Sequence, residues 1–456
     1  MSTAVSDKET DHHSIDNTDS STIVYFIDDK YEAVCRYLEN LPSLSLQSND
    51  NNSNQRNNKL YNSTRVNDPY DSRCNFIFTN LAKIDFLKIA NGVLVNNLKG
   101  SQHLSNKAYL AYHVKASGKE YLMPLQWSAA YDDISSLVGM LIVTTLYNYC
   151  HHLIDNDTNN SSIINNDNEL REIIQLLLMD AAFRQSSDYS LLTLLLSSFP
   201  NFMTSIDEYD HEGLVSTLGS IDSQQNWRKA WAGKQDIWII KPVGLSCGEN
   251  IHVFKGFKDV LIHTKAMKYK CIVQKYIERP LLVRNGRKFD IRQWVLVSNV
   301  DPLIVYGFSE CYLRLSSKGY TLDSQDLLDA TVHLTNHAIQ KHSIVDSGNE
   351  DTSLVCDTMM TQQQFDEALH QLNQNNDTVF GNSYATSKSI FNTIIKPQIK
   401  KIAIDAITSV RDMLRKVGDG YQWLGLDLMV TEDLQGILLL SSIMIILILI
   451  FLSSFN

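Results

Sequence analysis

Short apolar runs alternate with polar, asparagine-rich or small-residue segments along most of the chain. Runs of this length, rich in Ile, Val and aromatic residues, are typical of β-strands. They occupy residues 23–27, 75–78, 238–241, 271–277, 287–297 and 424–430. A longer apolar run at 137–147 is too short to cross a bilayer, so it predicts a buried helix. The mixture predicts an α+β protein.

Polar segments divide these patterns into regions. Residues 1–21 are rich in Ser, Asp, Thr and His, and this composition predicts disorder. The insertion 49–67 is asparagine-rich and has little to bury. Strand patterns on both sides of it predict a small N-terminal α/β domain over 22–115. Residues 116–235 form a central domain or linker without chemical motifs, and 236–436 carry most of the candidate chemistry.

The final segment, 437–456, begins with a run at 437–452 that consists almost wholly of Leu, Ile and Met, apart from Phe451 and the pair Ser441-Ser442. This run approaches the roughly 20 residues that a membrane-spanning helix needs, but no Lys or Arg flanks it to set an orientation. Two interpretations remain open. Either the C-terminal part of the sequence is altered or truncated after about residue 436, or the segment is a hydrophobic tail that anchors the protein in a membrane.

Charge and cysteine content narrow the class of protein. The net charge of −11 argues against general nucleic-acid binding, which needs a basic face. Seven dispersed cysteines and a polar N-terminus without a signal-peptide core predict reduced thiols in a cytoplasmic protein. Between residues 255 and 292, however, eleven Lys and Arg face three Asp and Glu. This excess predicts either a solvated surface or a cleft for anionic ligands.

Several residues have the chemistry that an ATP site requires. Lys241 ends an apolar strand and precedes a small-residue loop, the arrangement that can hold phosphates. Lys288 and Asp290 share one face of a strand, and Asp427 lies between apolar residues, where a carboxylate must be paired or metal-bound. Taken singly, each has an ordinary alternative, such as a surface lysine or a local ion pair.

The order of the motifs along the chain favours the ATP site over these ordinary alternatives. They are Trp238-Ile-Ile-Lys-Pro, Gln274-Lys-Tyr-Ile-Glu-Arg-Pro-Leu-Leu, Arg287-Lys-Phe-Asp-Ile-Arg-Gln-Trp-Val-Leu-Val and His333-Leu-Thr-Asn-His-Ala-Ile-Gln-Lys. Segments at 95–108 and 426–430 extend the set to both sides. In this order the motifs resemble those of the tubulin–tyrosine ligase family.

The resemblance implies an ATP-grasp fold, in which two α+β lobes hold ATP between them. It also implies an ATP-dependent ligase with ATP and Mg²⁺ as cofactors, acting on microtubules in the cytoplasm. Such an enzyme phosphorylates a glutamate carboxylate in the acidic C-terminal tail of tubulin, and the amine of a free amino acid then displaces the phosphate. The motifs favour tyrosine as that amino acid, and glycine or glutamate remains an alternative.

Carried over by position, the resemblance assigns a role to each matching residue. The residues expected to contact nucleotide phosphates are Lys107 and Lys241, with Cys247 and Gly248 in the covering loop. Those expected to form the adenine hinge are Gln274, Lys275, Tyr276 and Ile277. Further nucleotide contacts are expected from Lys288, Asp290, Thr335 and Asn336. Arg292 and Arg314 would bind carboxylates, and Asp427 would bind Mg²⁺.

The chain departs from the family pattern in two places, at one position in the covering loop and at two near the C-terminus. Asn250 stands where the family has a glycine, and asparagine tolerates positive φ better than most residues. Leu440 and Ser442 stand where the family has the Glu and Asn that complete the metal site. Leucine supplies no oxygen ligand, and a single hydroxyl is a poor one for Mg²⁺. The chain is therefore expected to be either a ligase with an altered C-terminal segment or a catalytically impaired pseudo-enzyme that binds ATP and tubulin.

Overall fold

The computed structural model describes residues 22–31, 34, 36, 62–154, 168–180, 183–197, 215–218, 233, 235–245, 248–346, 358–375 and 389–443. The predicted disorder of residues 1–21 lies outside this part of the chain. The described residues fall into two compact units. One comprises those up to Lys99 together with Lys416–Tyr421, and the other comprises those of Gly100–Arg415 and Gln422–Met444. The sequence-based boundary at 115/116 therefore differs from the division between these units.

The first unit contains a parallel four-stranded sheet. Its strands are β1 (Thr22–Ile27), β2 (Asn62–Arg65), β3 (Phe76–Phe78) and β4 (Leu94–Val95), in the order β2-β1-β3-β4. Strand β2 lies within the asparagine-rich segment 49–67, so the description of that whole segment as an insertion was wrong. An edge strand needs only backbone partners, and Thr22 pairs with Asn62 without any apolar side chain on β2.

The second unit contains an antiparallel sheet that carries part of the candidate site. Its strands are β5 (Gln126–Ser128), β6 (Ile237–Pro242), β7 (His252–Lys255) and β8 (Cys271–Lys275), in the order β5-β8-β6-β7. The helices around it are α1 (Gln102–Ser105), α2 (Lys107–Ala116), α3 (Ile134–Ile154), α4 (Asn168–Met179), α5 (Ser187–Ser197) and α6 (Phe257–Ala266). The buried helix predicted at 137–147 is confirmed within α3, whose apolar side chains pack with Trp238 and Val273.

A larger, seven-stranded sheet completes the second unit. Its strands are β9 (Leu282–Val283), β10 (Arg287–Val300), β11 (Leu303–Gly307), β12 (Tyr312–Gly319), β13 (Met359–Thr361), β14 (Gln422–Val430) and β15 (Gly436–Ile443). The helices that accompany it are α7 (Ala330–His333), α8 (His337–Asp346), α9 (Gln362–Asn375) and α10 (Lys396–Val410). Strand β10 pairs with β9, β11, β12 and β14. The predicted α+β class is confirmed.

Strand β15 includes the first part of the segment 437–456 that was predicted to be a hydrophobic tail. Residues 437–443 belong to the strand, which pairs antiparallel with β14 from Gly436 to Ile443, and residues 444–456 lie outside the described residues. A strand buried on both faces has the same continuous apolar composition as a membrane segment, so composition could not separate the two. None of the helices formed by the described residues is long and apolar enough to cross a membrane.

Candidate functional site

Two lysines meet at the end of strand β6. Lys241 lies on β6, and Lys107 is the first residue of helix α2. The side chain of Asn106 caps that helix by accepting hydrogen bonds from N–H groups of the first turn, and this fixes the start of the helix at Lys107. The Lys107 ammonium donates to the carbonyl of Leu245 at 2.5 Å. The start of α2 is therefore attached to the small-residue loop that follows β6.

Lys241 is half-buried beside neutral partners. Its ammonium donates to Oε1 of Gln274 at 2.6 Å, and Nε2 of Gln274 donates in turn to Oε1 of Gln126 at 3.0 Å. A glutamine oxygen stabilises the ammonium but does not cancel its charge. Burial, together with repulsion from Lys107, lowers the pKa of Lys241 to about 8.

A chain of hydrogen bonds holds Lys288. Its ammonium donates to the Tyr276 hydroxyl at 2.6 Å and to the His333 carbonyl at 2.9 Å. Nε2 of His333 lies 3.1 Å from the carbonyl of Asp326, which can only accept, so Nε2 carries the proton. Nδ1 of His333 then accepts from the Tyr276 hydroxyl at 2.8 Å. Burial and the proximity of Lys241 lower the pKa of Lys288 to about 7.

These three lysines have no ion-pair partner in the part of the chain that the structure describes. Lys241 and Lys288 donate to the side chains of Gln274 and Tyr276, two positions apart, and Lys107 donates to the loop that follows Lys241. The charges of Asp427 and Asp290 favour the ammonium forms of Lys241 and Lys288 but do not offset the effect of burial on their pKa values. A cluster of cations without direct ion pairs, of which Lys288 is buried and Lys107 and Lys241 are half-buried, is suited to a polyanion such as a triphosphate. We call Lys107, Lys241 and Lys288 the lysine cradle.

The loop after β6 lies against the motif that contains Thr335 and Asn336. Gly248 has φ +86°, and a Cβ at this position would lie 2.9 Å from Ile339 and 3.1 Å from Oδ1 of Asn336. Only glycine fits this conformation and this approach without a shift of the neighbours. Asn250 has φ +53°, the left-handed conformation that its place in the family pattern requires. Cys247 lies outside the described residues.

The segment expected to bind adenine is already partly occupied by protein contacts. The N–H groups of Lys275 and Tyr276 donate to the carbonyls of Leu125, at 2.7 Å, and Ile237, at 3.0 Å. The Lys275 ammonium forms a fully buried ion pair with Glu278. The backbone N–H and the ammonium of Lys275 both bind other groups of the protein. The expected contact of Lys275 with the nucleotide stays a prediction.

Two arginines and two carboxylates form a buried network beside the cradle. Nε of Arg292 donates to Oδ1 of Asp427 at 2.6 Å, and Nη2 of Arg314 lies 3.0 Å from the same oxygen. Arg314 also holds Asp290 with two hydrogen bonds, one of them from Nε at 2.9 Å. The four side chains are at most 10% exposed, and their formal charges sum to zero. Bidentate pairing of this kind fixes both partners in position.

The surroundings of Asp427 do not fit a magnesium ion. On the neighbouring strand, Leu440 lies opposite Asp427 and Ser442 lies opposite Gly425. Mg²⁺ requires an octahedral set of oxygens, and two arginines already engage Oδ1 of Asp427. Among the described residues there is also no group of three or more His, Cys, Asp or Glu that could hold a metal ion. The predicted role of Asp427 as a Mg²⁺ ligand is therefore not supported by its neighbours.

The basic excess between residues 255 and 292 separates into two groups. Lys258, Lys265, Lys268 and Lys270 are exposed on and after helix α6. Lys275, Arg287, Lys288 and Arg292 are buried on β8 and β10. The first group is a solvated surface, and the second lies on the strands of the candidate site, where the binding of anionic ligands stays a prediction.

Three residues that position the site were missing from the sequence-based set. His333 orients Tyr276 and Lys288, Gln126 holds Gln274, and Glu278 anchors β6 by accepting from the N–H groups of residues 235 and 237. His333 begins a quoted motif and Glu278 follows the hinge, so a signal existed for both. Gln126 lies in a region without motifs, and nothing in the sequence marks it.

Comparison with protein families places this geometry in context. Residues 212–440 match the model of the "Tubulin-tyrosine ligase family". Tubulin glycylase 3D of Tetrahymena thermophila is 35% identical over 207 residues, which is 45% of this chain and 18% of the relative. Tubulin monoglycylase TTLL3 of Homo sapiens is 35% identical over 208 residues, or 44% of this chain and 25% of the relative. Protein monoglycylase TTLL8 of Homo sapiens is 32% identical over 229 residues, or 49% and 24%.

The matched part of the chain spans about a quarter or less of the length of these relatives. The family model, by contrast, covers half of this chain and includes β6 to β14 with most of the site described above. The chain belongs to the tubulin-tyrosine ligase family.

Proposed function

We propose that this chain binds ATP at the lysine cradle and ligates an amino acid to a carboxylate in the acidic C-terminal tail of tubulin. The observation that carries the proposal is the cluster of Lys107, Lys241 and Lys288, none of which has an ion-pair partner among the described residues, in a member of this family. The family has an ATP-grasp-like fold, and the two antiparallel sheets of the second unit are consistent with it.

Each part of the site has a role in this reaction. The cradle would neutralise the phosphates, and Gly248 lets the covering loop approach them. The N–H of Ile277, which has no hydrogen-bond partner among the described residues, would meet the adenine edge. The terminal nitrogens of Arg292 make no hydrogen bond within the described structure, so they could hold a substrate carboxylate.

The proposed chemistry has two steps. A carboxylate oxygen of the tail attacks the γ-phosphorus of ATP, which forms an acyl phosphate and releases ADP. The amine nitrogen of the free amino acid then attacks the acyl carbon, the C–O bond to phosphate breaks, and the amine loses a proton to solvent. The chain contributes by holding the phosphate charge and by bringing the reacting carboxylate close to it.

Glycine is the amino acid that we propose. The motifs favoured tyrosine, but the relatives described above are named as glycylases, and the comparisons give tyrosine no support. Glutamate remains the third candidate. Because the relatives' names refer to tubulin, we place the activity in the cytoplasm, on microtubules.

The test is incorporation of an amino acid into a peptide with the sequence of a tubulin tail. The chain is incubated with ATP, peptide and either glycine, tyrosine or glutamate, and the peptide is analysed by mass spectrometry. We expect a mass increase of one glycine residue and release of phosphate, both lost in Lys241→Met. Incorporation of tyrosine alone would refute the choice of glycine.

A second candidate is a module that binds ATP and tubulin without ligation. The observation that favours it is Leu440 opposite Asp427, together with the pairing of Asp427 to two arginines. ATP binding without phosphate release or peptide modification would establish this candidate in place of the first.

A further inference from the structure

Asp427 is held by positive charge that would repel a divalent cation. Its Oδ1 receives Nε of Arg292 at 2.6 Å and lies 3.0 Å from Nη2 of Arg314. Arg292 is fixed further by its position over the Trp294 ring, at 5.3 Å from the ring centre. A metal ion bound to Asp427 would have to displace these guanidinium groups or sit beside both of them at low dielectric. Asp427 therefore acts as the counter-ion of the two arginines.

The residue paired with Asp427 on the neighbouring strand provides no replacement ligand. In the register of β14 and β15, Asp427 pairs with Leu440, next to an irregularity in that register. Leucine has no oxygen atom in its side chain with which to share an ion with Asp427. Asp290, the other buried carboxylate here, is bound bidentately by Arg314. Three of the four carboxylate oxygens of this network are therefore engaged by arginine.

Much of the charge of a bound triphosphate can be offset without a metal. The network of Arg292, Arg314, Asp290 and Asp427 is neutral in sum. The lysine cradle adds up to three positive charges without ion-pair partners in the described structure. Such ammonium groups can supply the positive charge that phosphates require, and they are built into the protein.

We propose that this chain binds ATP without a divalent cation, with the lysine cradle as the counter-charge of the phosphates and Asp427 as the anchor of Arg292 and Arg314. The proposal rests on the nucleotide binding proposed above. It predicts that free ATP, which carries more negative charge than its magnesium complex, is bound at least as tightly as that complex.

Isothermal titration of the whole chain with ATP tests this directly. One titration is done after dialysis against EDTA and a second in excess MgCl₂. We expect dissociation constants that differ by less than about threefold, or tighter binding in EDTA. Binding that is about tenfold or more tighter in MgCl₂ would overturn the proposal. No binding in either buffer would instead overturn the proposed function, and this inference with it.

Two variants distinguish Asp427 as a counter-ion of the arginines from Asp427 as a metal ligand, because the two roles predict different changes in ATP affinity. Asp427→Asn removes the counter-ion of two arginines, so we expect ATP affinity in EDTA to rise or to stay unchanged. If Asp427 binds a metal, the same change weakens binding in MgCl₂. Leu440→Glu places a second carboxylate opposite Asp427, and we expect weaker binding in EDTA with partial recovery in MgCl₂. Equal weakening in both buffers would count against the proposed geometry, and the titrations of the unaltered chain do not depend on either variant.

Discussion

Burial of the Lys288 ammonium should lower the free energy of unfolding of the unliganded protein. The variant Lys288→Met measures this loss of stability. The ammonium is 3% exposed and has only the Tyr276 hydroxyl and the His333 carbonyl as partners. Burial lowers its pKa from the ordinary value of 10.5 to about 7. At about 1.4 kcal/mol per pKa unit, the protein loses roughly 4 kcal/mol at neutral pH by keeping this lysine buried.

The sign of the pH dependence follows from the direction of the shift. Between about pH 7 and pH 10.5 the unfolded chain binds more protons at Lys288 than the folded protein does. The free energy of unfolding therefore rises with pH across this window. A methionine at this position does not titrate, so it adds no pH-dependent cost of burial. The variant does, however, lose two hydrogen bonds worth about 1–2 kcal/mol each. At pH 7 we expect Lys288→Met to be more stable than the unaltered chain by up to about 2 kcal/mol.

Urea denaturation followed by tryptophan fluorescence, without nucleotide, gives the required free energies. Between about pH 7 and pH 9.5 the unaltered chain should gain about 3 kcal/mol relative to Lys288→Met, so that the order of stability reverses. Lys268 is exposed, and Lys268→Met serves as the matched control, for which we expect no such reversal. A variant that is less stable by the same amount at every pH would refute the account of Lys288.

Three further substitutions test other parts of the site. Glu278→Gln should destabilise the protein by about 3–5 kcal/mol in urea denaturation, because it leaves the buried ammonium of Lys275 without its ion pair; a loss under about 1 kcal/mol would contradict this. Gly248→Ala should weaken ATP binding by about 1–3 kcal/mol in calorimetry, since φ is +86° and the neighbours leave no space; unchanged affinity would show that the loop is not in contact with ATP. Tyr276→Phe removes a hydrogen bond from the charged form of Lys288, so the pH at which ATP affinity falls should move downward; an unmoved profile would exclude this coupling.

The apolar pattern predicted the strands that form the centre of the second unit. The runs at 238–241 and 424–430 coincide with β6 and β14, because strands buried between neighbours consist of continuous apolar residues. Strand β2 was missed because it is polar and lies at an edge of its sheet. Strand β15 was taken for a tail because its composition does not distinguish a buried strand from a membrane segment.

The identity of the site residues was easier to predict than their partners. Lys241 and Lys288 stand out beside apolar strands, and the structure brings both into one region. The partner that fixes Lys288 is the carbonyl of His333, 45 positions away along the chain. Likewise, the pairing of Asp427 with Arg292 depends on the register between β10 and β14. Long-range register follows from packing of the whole sheet, which local periodicity does not contain.

The most direct test of the central claim, that buried lysines hold the phosphates of ATP, is the proton balance of binding. Phosphate oxygens favour charged lysines, so binding should raise the pKa values of Lys241 and Lys288, now about 8 and about 7. Titrations with ATP at about pH 8 in EDTA, in buffers with different ionisation enthalpies, give the number of protons exchanged. We predict uptake of about one proton per ATP, reduced in Lys288→Met. Binding without proton uptake, or with proton release, would contradict the lysine cradle as the phosphate site.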